Sequence, residues 1–145
     1  MLSKRLEQVA SMVTKGNIIA DIGTDHGYVP IYLVEKGICP KAYAMDINQG
    51  PIESAIKNIE NYGLSEKIQA IKSNGLEKLE PEKADTIIIA GMGGELIVNI
   101  LENGLAKLEN CSRPVKELVL SPHKRGDLVR KYLEEHKWHI TDEKM

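Results

Sequence analysis

Short apolar runs alternate along the chain with stretches whose apolar residues recur every three or four positions. Leu2, Leu6, Val9, Ala10 and Val13 share one helical face, with Ser3 placed to cap its start and Gly16 to stop it. That helix precedes the first strand and is expected to pack on the sheet edge. Strand one is predicted at Ile18–Ile22, followed by a helix from Pro30 to Lys36 that Gly37 closes. Strand two is predicted at Ala42–Asp46. The next helix starts at Pro51 and stops at Gly63, with Ile52, Ala55, Ile56 and Ile59 on its inner face. Ile68–Ser73 is predicted as strand three and, after a polar turn through Pro81, the β-branched run Thr86–Ala90 as a central buried strand. Gly91-Met92-Gly93-Gly94 then opens a helix carrying Leu96, Ile97, Ile100, Leu101 and Leu108, weakened at Gly104. Leu118–Leu120 is strand five. A helix with Leu128, Val129, Tyr132 and Leu133 follows, and Trp138–Thr141 is expected as a sixth strand.

This alternation predicts an α/β fold, a mostly parallel sheet with helices on both faces. At 145 residues the chain is expected to be one domain. No apolar run approaches the ~20 residues of a membrane span, and the N-terminus lacks the apolar core of a secretory signal. A cytoplasmic protein with no membrane partner is therefore expected; oligomeric state is left open. Cys39 and Cys111 stand alone, which points to buried reduced thiols and no metal site. The net charge of −2 does not mark a nucleic-acid binder, so any RNA contact needs a local basic patch. Lys124, Arg125, Arg130 and Lys131 form the densest one, read either as a solvated helix face or as a phosphate footprint.

The chemistry concentrates in Ala20-Asp21-Ile22-Gly23-Thr24-Asp25-His26-Gly27-Tyr28, a strand, glycine turn and helix start. A dinucleotide loop needs a glycine where Asp25 stands, because its backbone approaches a pyrophosphate. A carboxylate there repels phosphates and argues against NAD or FAD. Acidic groups at the strand end suit a cationic ligand without phosphate, and S-adenosyl-L-methionine carries a sulfonium and an ammonium. Asp21, Gly23, Asp25 and Gly27 are the first-loop contacts expected for it.

In open α/β sheets ligands sit beyond the carboxyl ends of the strands. Asp46 ends strand two and suits both ribose hydroxyls, with Ile47 beside it; the alternative is capping the next helix. Asn74 and Gly75 end strand three, where an amide can read an adenine edge or merely form a turn. Ala90, Gly91, Met92 and Gly93 end strand four, a glycine platform on which a flat ligand can lie. Asp25, His26 and Tyr28 are the candidate catalytic groups. Asp25 could accept from an adenine amino group as methylation charges the base, or could cap the following helix. His26 is read equally as an acid–base or a packing residue, and Tyr28 as a base-stacking or, more commonly, a core residue. His123, at the end of strand five, could line an acceptor site, whereas His136 and His139 are expected on the surface.

With these loops assembled, the chain resembles the TrmK family. The resemblance rests on Leu2-Ser3-Lys4-Arg5-Leu6, on Ala20 to Tyr28 and on Ile89-Ala90-Gly91-Met92-Gly93-Gly94. It implies a Rossmann-like class I methyltransferase core over residues 1–145, with S-adenosyl-L-methionine as cofactor and N1 of adenine 22 in bacterial tRNA as target. It also implies a suspected catalytic role for Asp25, a last strand or strands missing from the sheet, and a C-terminal coiled-coil domain outside this chain that assists tRNA binding. The family commonly has Gly-Asp-Gly-Leu where this chain has Ser73-Asn74-Gly75-Leu76. A methyltransferase acting on another RNA or a small molecule, and a non-catalytic cofactor-binding module, are the alternatives.

Overall fold

The computed structural model describes residues 2–143. Its elements run α1 (Lys4–Ser11), β1 (Ile19–Ile22), α2 (Tyr28–Glu35), β2 (Ala42–Asp46), α3 (Gln49–Asn61), β3 (Ile68–Lys72), β4 (Thr86–Met92), α4 (Gly94–Glu109), β5 (Glu117–Pro122) and α5 (Gly126–Glu135). The sheet has five strands in the order β3-β2-β1-β4-β5, and every pair is parallel. The crossovers leave β1 in opposite directions, so the topological switch point lies between β1 and β4.

Period-two alternation assigns the strand residues to two cores. Ile19, Ala42, Ala44 and Ile88 join Val9, Ala10, Leu33, Val34, Ala55 and Ile59 beneath α1, α2 and α3. Ala20, Ile22, Tyr43, Met45, Ile87 and Ile89 face the opposite way, toward α4 and α5. Strands buried on both faces explain the continuous apolar runs of β1, β2 and β4. α1 is capped as expected, the Ser3 hydroxyl accepting from Leu6 N–H at 3.2 Å, but it ends at Ser11, short of Gly16. It contacts the edge strand β5 and α2.

Several expectations are corrected. α2 begins at Tyr28, so Pro30 sits inside the first turn, where its missing N–H is still an orphan donor. β4 continues through Gly91 and Met92, and α4 starts only at Gly94. Gly91 is the extra residue of a bulge against β5, with φ of 81°. α4 runs unbroken through Gly104, where an added Cβ would lie 2.6 Å from Leu76 Cβ. That glycine serves close packing, not weakness. Ile56 and Leu96 are exposed, and Cys111 is only half-buried whereas Cys39 is buried. Trp138–Thr141 forms no strand. Trp138 N–H instead closes the end of α5 on Leu133 O at 2.8 Å, with its ring against the second core, and Ile140 is exposed.

Among the described residues no helix is long and apolar enough to cross a membrane, and no group of three or more His, Cys, Asp or Glu side chains gathers as a metal site. Burial, with the Glu117 charge adding, pushes the Cys39 thiol up to about 11, which makes it inert packing.

Candidate active site at the switch point

The first loop alternates its backbone sign. Gly23 (φ 78°), Asp25 (φ 59°) and Gly27 (φ 77°) are left-handed, and Gly23 and Thr24 N–H both bond Met45 O, at 2.8 and 2.9 Å. Asp25 thus holds a conformation that glycine adopts freely, at a cost of about 1 kcal/mol. Its side chain is 71% exposed. It does not cap α2, whose N-cap is Gly27 with no side-chain bond. The strained residue keeps its carboxylate available.

α3 clamps this loop from one side. His26 Nδ1 lies 2.7 Å from Ser54 Oγ, Asn58 Nδ2 donates to His26 O at 2.9 Å, and an added Cβ on Gly27 would lie 3.2 Å from Ala55 Cβ. His26 Nε2 is 3.6 Å from Asp25 Oδ1. A neutral imidazole serves both neighbours best when Ser54 donates to Nδ1 and the ring proton sits on Nε2, facing the carboxylate. The Tyr28 ring lies 5.1 Å from the His26 ring and is 44% exposed, so it is a rim residue and not a core one. Ser54 and Asn58 were not apparent in the sequence; their spacing of four on a helix preceded by Asp46 was the available signal.

Asp46 is 9% exposed and accepts from Asp25 N–H at 3.3 Å and Asn48 N–H at 3.0 Å, one bond on each oxygen. It therefore orders the entry to α3 and still keeps a lone pair on each oxygen for a diol. Ile47 beside it is 54% exposed, an apolar surface at the strand end. Ser73 does the turn work after β3, donating to Gly75 O and accepting from Lys78 N–H, and the exposed Asn74 amide makes no hydrogen bond among the described residues. Gly75 (φ 57°) packs against Ile100.

Asp21 lies 5% exposed at the end of β1. Burial pushes its carboxyl up to about 7; the Thr24 hydroxyl opposes the rise and the Asp46 charge adds to it. Thr24 Oγ1 itself is buried and, among the described residues, has no hydrogen-bond partner at full geometry.

The fourth loop differs from the expected platform. Gly91 faces the Arg5 guanidinium, with 3.6 Å from an added Cβ to Nη1 and Nη2. Gly93 faces Lys124 and His123, at 3.1 Å to Cε and 3.6 Å to Cε1. Gly94 has the Arg125 carbonyl where a Cβ would stand, and its N–H bonds Lys124 O at 2.8 Å. His123 N–H bonds Met92 O at 3.0 Å, so the loops after β4 and β5 are stitched together. The Met92 methyl covers the bare face of Gly23 and bridges to the first loop. Ala90 is half-buried against the first core. A cavity of about 410 Å³ lies away from these loops, between α3 and the outer strands, lined by Ile56, Ile59, Lys67 and Gln69 among others. Lys131 lies on α5 beside Glu135, and Arg130 is paired with Glu143 at 2.8 Å, so the basic cluster of the sequence splits between helix face and loop. His136 and His139 are on the surface.

A sequence model described as "Methyltransferase domain" matches residues 2–145. The chain belongs to this family. Its methyltransferase domain is 40% identical over 142 residues to the tRNA (adenine(22)-N(1))-methyltransferase of Bacillus subtilis (strain 168), covering 98% of the chain and 58% of that protein. The crystal structure of the B. subtilis m1A22 tRNA methyltransferase TrmK superposes with a TM-score of 0.91 at 40% identity, over 98% of the chain and 59% of that one. M. capricolum TrmK in complex with S-adenosyl-homocysteine superposes with a TM-score of 0.86 at 38% identity, over 99% and 62%. The chain thus spans about three fifths of the length of these relatives (58%, 59% and 62%).

Proposed function

We propose that this chain is the catalytic core of a methyltransferase that uses S-adenosyl-L-methionine to methylate N1 of an adenine in tRNA, in the cytoplasm. The observation that carries the reading is the first loop, in which a left-handed, exposed Asp25 stands at the switch point between the buried Asp21 and Asp46. The similarity to tRNA (adenine(22)-N(1))-methyltransferases supplies the acceptor.

The donor set suits the cofactor. Asp46 has a free lone pair on each oxygen for the ribose diol, Ile47 offers an apolar face for the adenine, and Asn74 has an unengaged amide for its edge. Asp21 would face the ammonium of the amino-acid end, in a turn that Gly23 and Gly27 shape and beside the end of β4. When bound, S-adenosyl-L-methionine supplies an electrophilic methyl group on a sulfonium.

Adenine N1 carries its own lone pair, so no residue has to remove a proton before attack. Asp25 accepts from the exocyclic N6–H and opposes the positive charge that develops on the ring as the N–C bond forms. Ser54 holds His26, whose Nε2 lies 3.6 Å from the Asp25 carboxylate. Tyr28, at the rim beside His26, offers a ring for the base to stack on, and the positioned site lowers the entropic part of the barrier. The family's coiled-coil domain, lying outside residues 1–145, would add tRNA contacts to this core.

The test is methyl transfer from the cofactor to unmodified bacterial tRNA, followed by reverse transcription. A new stop at one adenine supports N1, because a methyl there blocks the Watson–Crick edge. Methylation without a stop refutes the position, and no methylation of any tRNA refutes the substrate.

A further inference from the structure

The side chain that reaches across the crevice between the ends of β1 and β4 is Met92, and a backbone irregularity aims it there. Strand alternation sends Ile87 and Ile89 to the second core and Ile88 and Ala90 to the first. Continued unbroken, it would turn Met92 the same way as Ile88 and Ala90. Gly91, at φ 81°, is instead an extra residue between the Ala90–Ser121 and Met92–Pro122 pairs. The bulge reverses the alternation, and Met92 packs against the second core with Ile87 and Ile89. Its backbone is pinned in that attitude by the bond from His123 N–H to Met92 O at 3.0 Å. From there its methyl covers the bare face of Gly23. Apart from the chain neighbours of Gly23, nothing else among the described residues lies within 4 Å of where a Cβ on Gly23 would stand.

The proposed cofactor joins its ribose to its amino acid through a single sulfur. Asp46, the proposed partner of the ribose, ends β2, and Asp21, the proposed partner of the ammonium, lies near the end of β1. β2, β1 and β4 are consecutive in the sheet, about 4.8 Å apart, and Gly23 directly follows β1. A link from Asp46 to Asp21 would therefore pass over the Gly23 turn, which Met92 closes from the β4 side. The glycine keeps the floor low, and the methionine sets how much room remains beside the sulfur. An extra methylene in a filled apolar pocket is discriminated against by about 10- to 200-fold. A thioether chain bends, which puts this wall at the low end of that range.

Resting on the proposed cofactor, we propose that Met92 determines specificity for the transferred group, limiting the alkyl on the cofactor's sulfur to a methyl. The bulge at Gly91 is the device that places this wall.

The test is calorimetric binding of S-adenosyl-homocysteine, S-adenosyl-L-methionine and S-adenosyl-L-ethionine, which carry no alkyl, a methyl and an ethyl on the sulfur. The whole chain is compared with Met92→Val and Met92→Leu. Valine suits a strand and lacks the methyl that reaches Gly23, whereas leucine keeps nearly the volume of methionine. The wild type is expected to bind the ethyl ligand about tenfold more weakly than the methyl ligand. Met92→Val should bind the two within about twofold of each other, and Met92→Leu should keep most of the difference. S-adenosyl-homocysteine should bind Met92→Val within about threefold of the wild type, because it has no alkyl group to exclude. Equal binding of the methyl and ethyl ligands by the wild type overturns the assignment without any variant. Discrimination that survives in Met92→Val overturns it too, as does equal weakening of all three ligands, the mark of a purely structural role. Absence of S-adenosyl-homocysteine binding by the wild type refutes the cofactor reading itself.

Discussion

The loops after β1 and β4 end adjacent parallel strands, and both are rich in glycine, but their glycines do opposite work. In the first loop, left-handed glycines curl the backbone so tightly that a side chain, Asp25, is turned outward, 71% exposed, with only His26 Nε2 beside its carboxylate among the described residues. In the fourth loop the bare faces are already occupied by the protein: Arg5 on Gly91, Lys124 on Gly93, the Arg125 carbonyl on Gly94. One loop uses glycine to turn a side chain outward. The other uses it to admit distant cations and a second loop.

The largest effect that separates the two loops is on stability. Gly94→Ala places a methyl on the Arg125 backbone, which cannot yield as a flexible side chain would, and should cost about 3 kcal/mol or more in denaturant unfolding. Gly50→Ala, in open space at the start of α3, is the control and should be neutral or stabilising by about 0.5 kcal/mol. Gly23→Ala meets only the Met92 methyl, so the chain should fold, with a loss of about 1–2 kcal/mol from its φ of 78°. Its binding of S-adenosyl-homocysteine should nevertheless fall by about 100-fold. Equal unfolding by Gly23→Ala and Gly94→Ala would erase the distinction.

A smaller effect comes from Asp21. Its carboxyl is raised to about 7, so the folded chain holds a proton that the unfolded chain has released above about 4. Stability without ligand should fall as pH rises from about 4 to about 7, by on the order of a few kcal/mol, and level off above. Ligand affinity should move the other way, about tenfold upward between pH 6 and 8, because the ionised form attracts the ammonium. Asp21→Asn should flatten both profiles. An unchanged profile would remove Asp21 from the site.

The smallest is Ser54→Ala, expected to lower the rate of methyl transfer about tenfold with ligand affinity unchanged, and Ser54→Thr to restore most of it. Nitrogen NMR should show His26 losing its preference for Nε2–H in the alanine variant. A rate loss without that change would make Ser54 a packing residue.

The strands and their order of burial were legible because β1, β2 and β4 are apolar on both faces and leave no ambiguity of face. The sixth strand was misread for the converse reason: alternating Trp138 and Ile140 resemble a strand, but only pairing would make one, and Trp138 is spent on closing α5. Asp21 and Asp46 could be placed at the carboxyl edge of the sheet because strand ends fix where their side chains must lie, whereas the outward turn of Asp25 depends on a left-handed backbone that no pattern shows. Ser54, Asn58 and Arg5 could not, since each reaches the loops from a helix packed across the switch point, a contact that no local pattern encodes. The fourth loop was legible as glycine-rich and illegible as to what the glycines admit.

The central claim is that Asp25 accepts backbone strain to present a catalytic carboxylate. Asp25→Gly tests it most directly, because glycine relieves the φ of 59° while removing the acid. Single-turnover methylation of tRNA, measured beside ligand affinity and unfolding, should show a variant stabilised by about 1 kcal/mol that binds S-adenosyl-homocysteine within about threefold of the wild type and transfers methyl about 100-fold more slowly. A variant that is equally stable or more so and transfers methyl within twofold of the wild-type rate would contradict it.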